Sequence, residues 1–207
     1  QTGLVSANPF FASGGGMGEG FDQEMGVVST DGAEVLVEGL AMMEEFDTSQ
    51  PWYLQLHMVD PHSPYNPPDG YRDGLEGLDP IDYNLDAYPE YTSLLEDWPS
   101  LDADTQALIR THIEARYAGE MSYSDALIGQ TLDALDAAGL MDDTLVVIWT
   151  DHGEQIFERG DLGHSWTVHR EENDALLAIR APGVAPGVID EPTVHQDLWP
   201  SLLPILG

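Results

Sequence analysis

Residues 144–154 read Thr144-Leu145-Val146-Val147-Ile148-Trp149-Thr150-Asp151-His152-Gly153-Glu154, a short apolar run that ends on a carboxylate, an imidazole and a glycine. A run of this length, rich in β-branched and aromatic residues, suits a strand buried on both faces. Just before it, residues 105–138 place Ile109, Ile113 and Tyr117, then Ile128, Leu132 and Leu135, at the three- and four-residue spacing of a helix. Gly139 is the residue type that ends such a helix. A long helix passing through a short acidic turn into a buried strand is how a chain crosses over to a largely parallel sheet, so an α/β fold is expected.

Two further apolar runs, 52–59 and 175–180, are bounded by Pro, Gly or Asp and read as core strands, and 33–46 reads as a second helix. In open sheets of this kind ligands gather at the carboxyl ends of the strands. Asp60 to His62 and Asp151 to His152 would emerge there, and the expectation is that the two polar clusters meet in space. Residues 63–104 are rich in Pro, Gly, Asp and Tyr without clear period, and read as a loop excursion over the site. Its tyrosines at 65, 71, 83, 88 and 91 could present aromatic faces to a sugar or simply cover the protein. Residues 13–20 are glycine-rich but lack the spacing and the Lys of a phosphate-binding loop, and read as a flexible turn.

With 207 residues, 42% of them hydrophobic, the chain is long enough for one sizeable core. Its 38 acidic residues against six cations give a formal charge of −32. All six cations are arginines, and the acids are spread from Glu19 to Asp197. Such a surface repels nucleic acid and anionic membranes. It suits either a high-salt medium, where screening relieves self-repulsion, or an ordinary acidic bacterial protein. There is no cysteine, hence no disulfide and no thiolate site. No run of 18 apolar residues exists, and the opening Gln1 to Gly3 reads as a cut in a longer chain.

Three clusters could carry chemistry. Asp151 and His152 offer a carboxylate oxygen and an imidazole nitrogen to a divalent ion, with Gly153 letting the backbone turn away. The same residues could instead cap a turn. In Asp60-Pro61-His62-Ser63-Pro64-Tyr65 two prolines stiffen the backbone around His62, which suits a proton donor, though a structural histidine fits equally. His57 lies within a strand and reads as a core histidine. In Gly160-Asp161-Leu162-Gly163-His164-Ser165 small residues flank His164 and permit close approach of an oxyanion. Read by itself, that stretch is a surface loop.

The order Pro51-Trp52-Tyr53-Leu54-Gln55-Leu56-His57-Met58-Val59-Asp60-Pro61-His62-Ser63-Pro64-Tyr65, then 144–154, then Leu162-Gly163-His164-Ser165 resembles the bacterial sulfatases. The likeness extends to Thr2 to Asn8, Gly20-Phe21-Asp22, Tyr117-Ala118-Gly119-Glu120, Asp125 and residues 194–207. It implies an alkaline-phosphatase-like α/β/α sandwich with a largely parallel, mixed central sheet, of which residues 1–207 would be a partial catalytic domain lacking the N-terminal nucleophile segment. It also implies hydrolysis of a sulfate ester by a formylglycine, at a divalent ion that is usually Ca²⁺, with Mn²⁺ or Zn²⁺ as alternatives.

By the same resemblance Asp151 and His152 match metal ligands. His62 matches the histidine that contacts sulfate and assists the leaving oxygen, and His164 a position that contacts sulfate. Asn8 and Asp60 are weak candidates for a substrate contact and carry no family match. The implied partner is a sulfated small molecule or polysaccharide, and the implied location is periplasmic or secreted.

Two departures stand out. No Cys is present and no Ser is followed by x-Pro-x-Arg, so this stretch by itself is expected to be inactive by the family mechanism. Ser6-Ala7-Asn8 also replaces a frequent Lys and His. A phosphonate or phosphodiester hydrolase, or a phosphoethanolamine transferase, of the same superfamily is the alternative enzyme. A non-catalytic truncated relative is the alternative outside enzymes.

Overall fold

β1 (Thr2–Ser6) lies between β2 (Gln23–Gly26) and β3 (Tyr53–His57), and both pairings are parallel. The structure is a computed structural model that describes residues 1–12, 18–86 and 88–206. It divides into two units, Gln1–Met141 with Ile156–Leu162, and Asp142–Gln155 with Gly163–Gly207. The glycine-rich turn expected at 13–20 falls mostly outside the described residues.

In the first unit four of the five β1 residues are buried, as a central parallel strand requires. α1 (Pro9–Ala12) follows β1, and α2 (Gly32–Glu44) packs Val35 and Met42 into a cluster with Val5, Ala7, Val27 and Phe46. Asp31 caps α2 by accepting the N–H of Ala33. The expected strand at 52–59 is β3, and the expected helix at 33–46 is α2.

Residues 63–104 contain more order than a loop. α3 (Tyr88–Asp97) lies within them, and Tyr65, Leu85, Tyr91, Leu94 and Trp98 form much of a core cluster with Ile109 and Ile113. Trp98 stacks on Phe157 with ring centroids 3.6 Å apart. Tyr65 and Tyr91 are therefore core residues and present no face to a sugar. The sequence does not announce this helix, because Pro and Tyr dominate its first turn and few apolar residues mark its period.

α4 (Ala103–Ala137) has 35 residues and is roughly 50 Å long at 1.5 Å per residue. Asp102 accepts from the N–H groups of Asp104 and Thr105 at its start. At its end Gly139, with φ of 69°, lets Leu140 N–H reach Leu135 O and Gly139 N–H reach Asp136 O, both at 2.9 Å. Ile109 and Ile113 enter the cluster just described, whereas Tyr123 and Leu127 pack on Leu36 of α2.

In the second unit β4 (Val146–Trp149) pairs antiparallel with β7 (Leu177–Arg180), running from Val146 opposite Arg180 to Trp149 opposite Leu177. These are the runs expected at 144–150 and 175–180. Among the described residues β4 has no parallel partner, although the crossover pattern of α4 led to that expectation. Nor are the two strands the buried core strands expected: β7 is exposed at all four residues and β4 is half-buried, with Trp149 exposed. An apolar run marks where a strand forms; its partner and its cover are chosen by contacts far away in sequence. β5 (Gln155–Ile156), β6 (Leu162–Gly163), α5 (Arg170–Asn173) and α6 (His195–Leu206) complete the order. No described helix is long and apolar enough to cross a membrane.

Candidate functional site

The second unit holds Asp151, His152 and His164. Leaving β4, Thr150 is still tied to the residue that precedes β7, its N–H donating to Leu176 O at 3.1 Å. The chain then turns at Asp151, whose side chain is 73% exposed, and whose Oδ1 accepts the N–H of His152. Nδ1 of His152 lies 2.7 Å from the carbonyl oxygen of Gly153. A carbonyl only accepts, so Nδ1 carries the proton and the lone pair sits on Nε2. That nitrogen is 3.6 Å from Asp151 Oδ1.

The tight turn depends on Gly153. A Cβ there would stand 2.4 Å from Glu171 O and 2.8 Å from Asp174 O, both backbone atoms. Its N–H donates to Glu172 O at 2.8 Å. The Glu172 side chain, 4% exposed, is the hub of the neighbouring loop. It accepts from Gln155 Nε2, Trp166 N–H, Thr167 N–H and Thr167 Oγ1 at 2.8–3.1 Å. Burial pushes its pKa up, but these donors outweigh burial and hold the carboxyl below the ordinary glutamate value.

His164 reaches the same place from the other strand of the turn. Its Nδ1 is 3.0 Å from Glu154 Oε1, on a side chain only 6% exposed, and its ring centroid is 4.0 Å from that of His152. The carboxylate holds the proton on Nδ1 and fixes the ring. Ser165, next in sequence, has φ of 75°, unusual for a residue with a Cβ. Asp151, His152 and His164 are therefore brought together.

The first unit holds His62, Asp60 and Asn8. His62 is exposed, with its N–H on Val59 O at 2.8 Å and its Nδ1 2.6 Å from Ser63 O. Asp60 Oδ2 accepts the N–H of Gly32 at the start of α2, at 2.8 Å. Asn8 Oδ1 accepts the N–H of Phe10 at 2.9 Å and caps α1. His57 Nδ1 is 3.0 Å from the hydroxyl of the fully buried Ser6, an inward contact of the structural kind expected of it.

Two donor groups lie side by side at the end of β4. Oδ1 of Asp151 and Nε2 of His152 suit a divalent ion in type and separation, while a complete shell needs further oxygen or nitrogen ligands. Among the described residues no group of three His, Asp or Glu side chains could hold a metal ion. Two glutamates, Glu154 and Glu172, carry the arrangement of the second unit, and Glu120 holds the backbone of Asn66 in the first; the sequence alone assigns a role to none of them. Glu154 stood inside the Asp-His-Gly-Glu run and Glu120 inside the Tyr-Ala-Gly-Glu run, but nothing in the sequence around Glu172 announces a hub.

A family model described as Sulfatase matches residues 26–207. The chain is 28% identical over 177 residues to a choline-sulfatase of Rhizobium meliloti strain 1021, covering 81% of this chain and 34% of that protein. It thus spans about a third of the length of the curated relatives it matches. A protein solved in complex with its substrate D-glucosamine-2-N,6-O-disulfate superposes with a TM-score of 0.63 at 15% identity, covering 88% of this chain and 53% of that one. This likeness shows the fold, the alkaline-phosphatase-like α/β fold. A phosphonate monoester hydrolase from Silicibacter pomeroyi superposes with a TM-score of 0.56 at 26% identity, covering 76% of this chain and 34% of that one.

Proposed function

The chain belongs to the sulfatase family, and from that premise we propose that the full-length protein hydrolyses sulfate esters of small molecules or saccharides at a divalent cation. The observation that carries this reading is the Asp151–His152 pair at the end of β4, with the His152 lone pair turned to the Asp151 carboxylate. These two residues would hold the ion, and Ca²⁺ is the ion favoured by exposed carboxylate oxygen. When bound, the cation supplies Lewis-acid polarisation of the sulfuryl oxygens.

His164, held by Glu154 through Nδ1, is assigned to the sulfate oxyanion. His62 is assigned to the leaving oxygen, to which it donates a proton. Asn8 and Asp60 spend side-chain oxygens on backbone N–H groups within the fold, so no direct substrate contact is assigned to them. With no cysteine and no serine followed by x-Pro-x-Arg among these 207 residues, the nucleophile is assigned to the remainder of the full-length protein.

The test compares hydrolysis of an aryl sulfate and an aryl phosphonate by the full-length protein with Ca²⁺ and after chelation. The expected result is preference for the sulfate and loss of activity with chelator. His62→Ala is expected to lower kcat by roughly 10²-fold, the scale of lost acid catalysis. A preference for the phosphonate would establish the second reading, which the likeness to the Silicibacter hydrolase favours. Hydrolysis of neither ester overturns both.

A further inference from the structure

The loop that carries His62 is held at both ends. At its start Asp60 Oδ2 accepts the N–H of Gly32 at 2.8 Å. At its far end Asn66 N–H donates to Glu120 Oε1 on α4, also at 2.8 Å. Arg116 Nη1 donates to Tyr65 O at 3.2 Å, and Arg72 Nη2 to Asn66 Oδ1 at 2.7 Å. Tyr65 is fully buried, edge-on to Tyr91 and Tyr117. His62 stands exposed between these anchors.

Glu120 is the unusual member. Its side chain is 5% exposed, and its second oxygen, Oε2, is buried with no hydrogen-bond partner of ordinary geometry. An ionised oxygen left that way is costly, whereas a protonated one has something to donate. The group beside it is the Asp60 carboxyl. Burial first, then the charges of Asp60 and Asp31, push Glu120 up to about 7, and burial also raises Asp60. The other charged and titratable groups around them are engaged. Tyr123 donates to Asp31 at 2.5 Å, Arg116 also pairs with Asp86, and Arg72 also reaches Pro67 O.

We propose that Glu120 is a positioning residue for His62: one carboxyl oxygen holds Asn66 N–H, the other carries a proton toward Asp60, and both ends of loop 60–66 are thereby tied to one side chain of α4. The part assigned to His62 rests on the sulfatase reading; the tie itself does not. Loss of the proton leaves Glu120, Asp60 and Asp31 mutually repelling, so the start of the loop is released while the Asn66 anchor stays.

The test uses the full-length protein as wild type, Glu120→Gln and Glu120→Ala. Hydrogen exchange of residues 60–66 is followed at pH 6 and pH 8.5, corrected for intrinsic rates, alongside kcat and KM on an aryl sulfate across the same range. Wild type is expected to lose protection in the loop as pH rises. Glu120→Gln should stay protected at both values, because the amide accepts from Asn66, donates toward Asp60 and cannot ionise. Glu120→Ala should be unprotected at both, with kcat lower by roughly 10-fold, less than the 10² that a full ångström of misplacement can cost, and KM nearly unchanged.

A Gln variant as unprotected as the Ala variant, or an Ala variant protected like wild type at pH 6, overturns the tie. Protection lost with kcat unchanged overturns the role for His62. If Glu120→Ala does not fold, the pH dependence of Glu120→Gln decides: a loop that still opens with rising pH overturns the proposal. A protein that hydrolyses no sulfate ester refutes the functional reading, and the exchange data then judge the tie separately.

Discussion

Glu120 in the first unit and Glu172 in the second are the same side chain at nearly the same burial, 5% and 4% exposed, yet they are shifted in opposite directions. Burial pushes both up. Glu172 then meets four donors from Gln155, Trp166 and Thr167, which together outweigh the desolvation. Glu120 meets one, the N–H of Asn66, and faces Asp60 and Asp31 besides. The count of donors, rather than depth, decides whether a buried carboxyl keeps its charge. One region uses a buried charge to gather backbone around the Asp151–His152 turn, and the other uses a buried proton to hold two carboxyls together.

The strongest way to break that contrast is to disturb the donors of Glu172 without touching it. Gly153→Ala places a Cβ 2.4 Å from Glu171 O and 2.8 Å from Asp174 O, on both sides of Glu172. Backbone cannot yield as a side-chain tip does, so a destabilisation of about 3 kcal/mol, the upper end of overpacking, is expected in chemical denaturation. Cation affinity should fall with it, since Asp151 and His152 precede the same turn. Unchanged stability and affinity would show that the turn relaxes freely.

Next in size is the paired removal of the two charges. Glu120 is raised from 4.5 to about 7, so what it contributes is fully present below 4.5 and lost as pH rises through about 7. Glu120→Gln should therefore be more stable than wild type at pH 8, by on the order of 1–2 kcal/mol, and not at pH 4. Glu172 is lowered from 4.5, so its contribution is present above 4.5 and lost as pH falls through the depressed value. Glu172→Gln should be less stable than wild type at pH 7, with the gap closing in acid. Denaturant titrations across pH 3–8 read both, and two variants with the same sign of pH dependence would refute the contrast.

The sequence made one side of this contrast far more legible than the other. Helical spacing placed α4 to within two residues at each end, and apolar runs marked β3, β4 and β7. Asp151, His152 and His164 could be picked out because a strand end followed by Asp-His-Gly is a local pattern, and the structure gathers them within one unit. The antiparallel partner of β4 and the α3 helix were not legible. Strand pairing is a long-range choice, and α3 shows its core contacts at Tyr91, Leu94 and Leu95 among Pro, Glu, Thr and Ser, too few to mark a helical period. Glu120 owes its role to a donor 54 residues away, which no window of sequence contains, while the donors of Glu172 lie 5–17 residues away but are backbone N–H groups, a hydroxyl and an amide with no pattern that marks a carboxylate partner.

The smallest expected effect asks whether Glu120 itself is the group that titrates near neutrality. Tyr123 donates its hydroxyl to Asp31, and burial first, then that contact, holds the phenol above its ordinary value, so it stays neutral throughout the range. Tyr123→Phe removes one hydrogen bond to a carboxylate and should cost about 1 kcal/mol or less, since Asp31 is exposed to water that can replace it. The loss should be the same at pH 6 and pH 8, because the variant leaves Glu120, Asp60 and the Asn66 anchor in place. Stability measured at both values would then show the alkaline decline intact in Tyr123→Phe and abolished in Glu120→Gln. If the decline vanishes in Tyr123→Phe as well, the proton belongs to the Asp31 pair, and Glu120 is a second charged glutamate like Glu172.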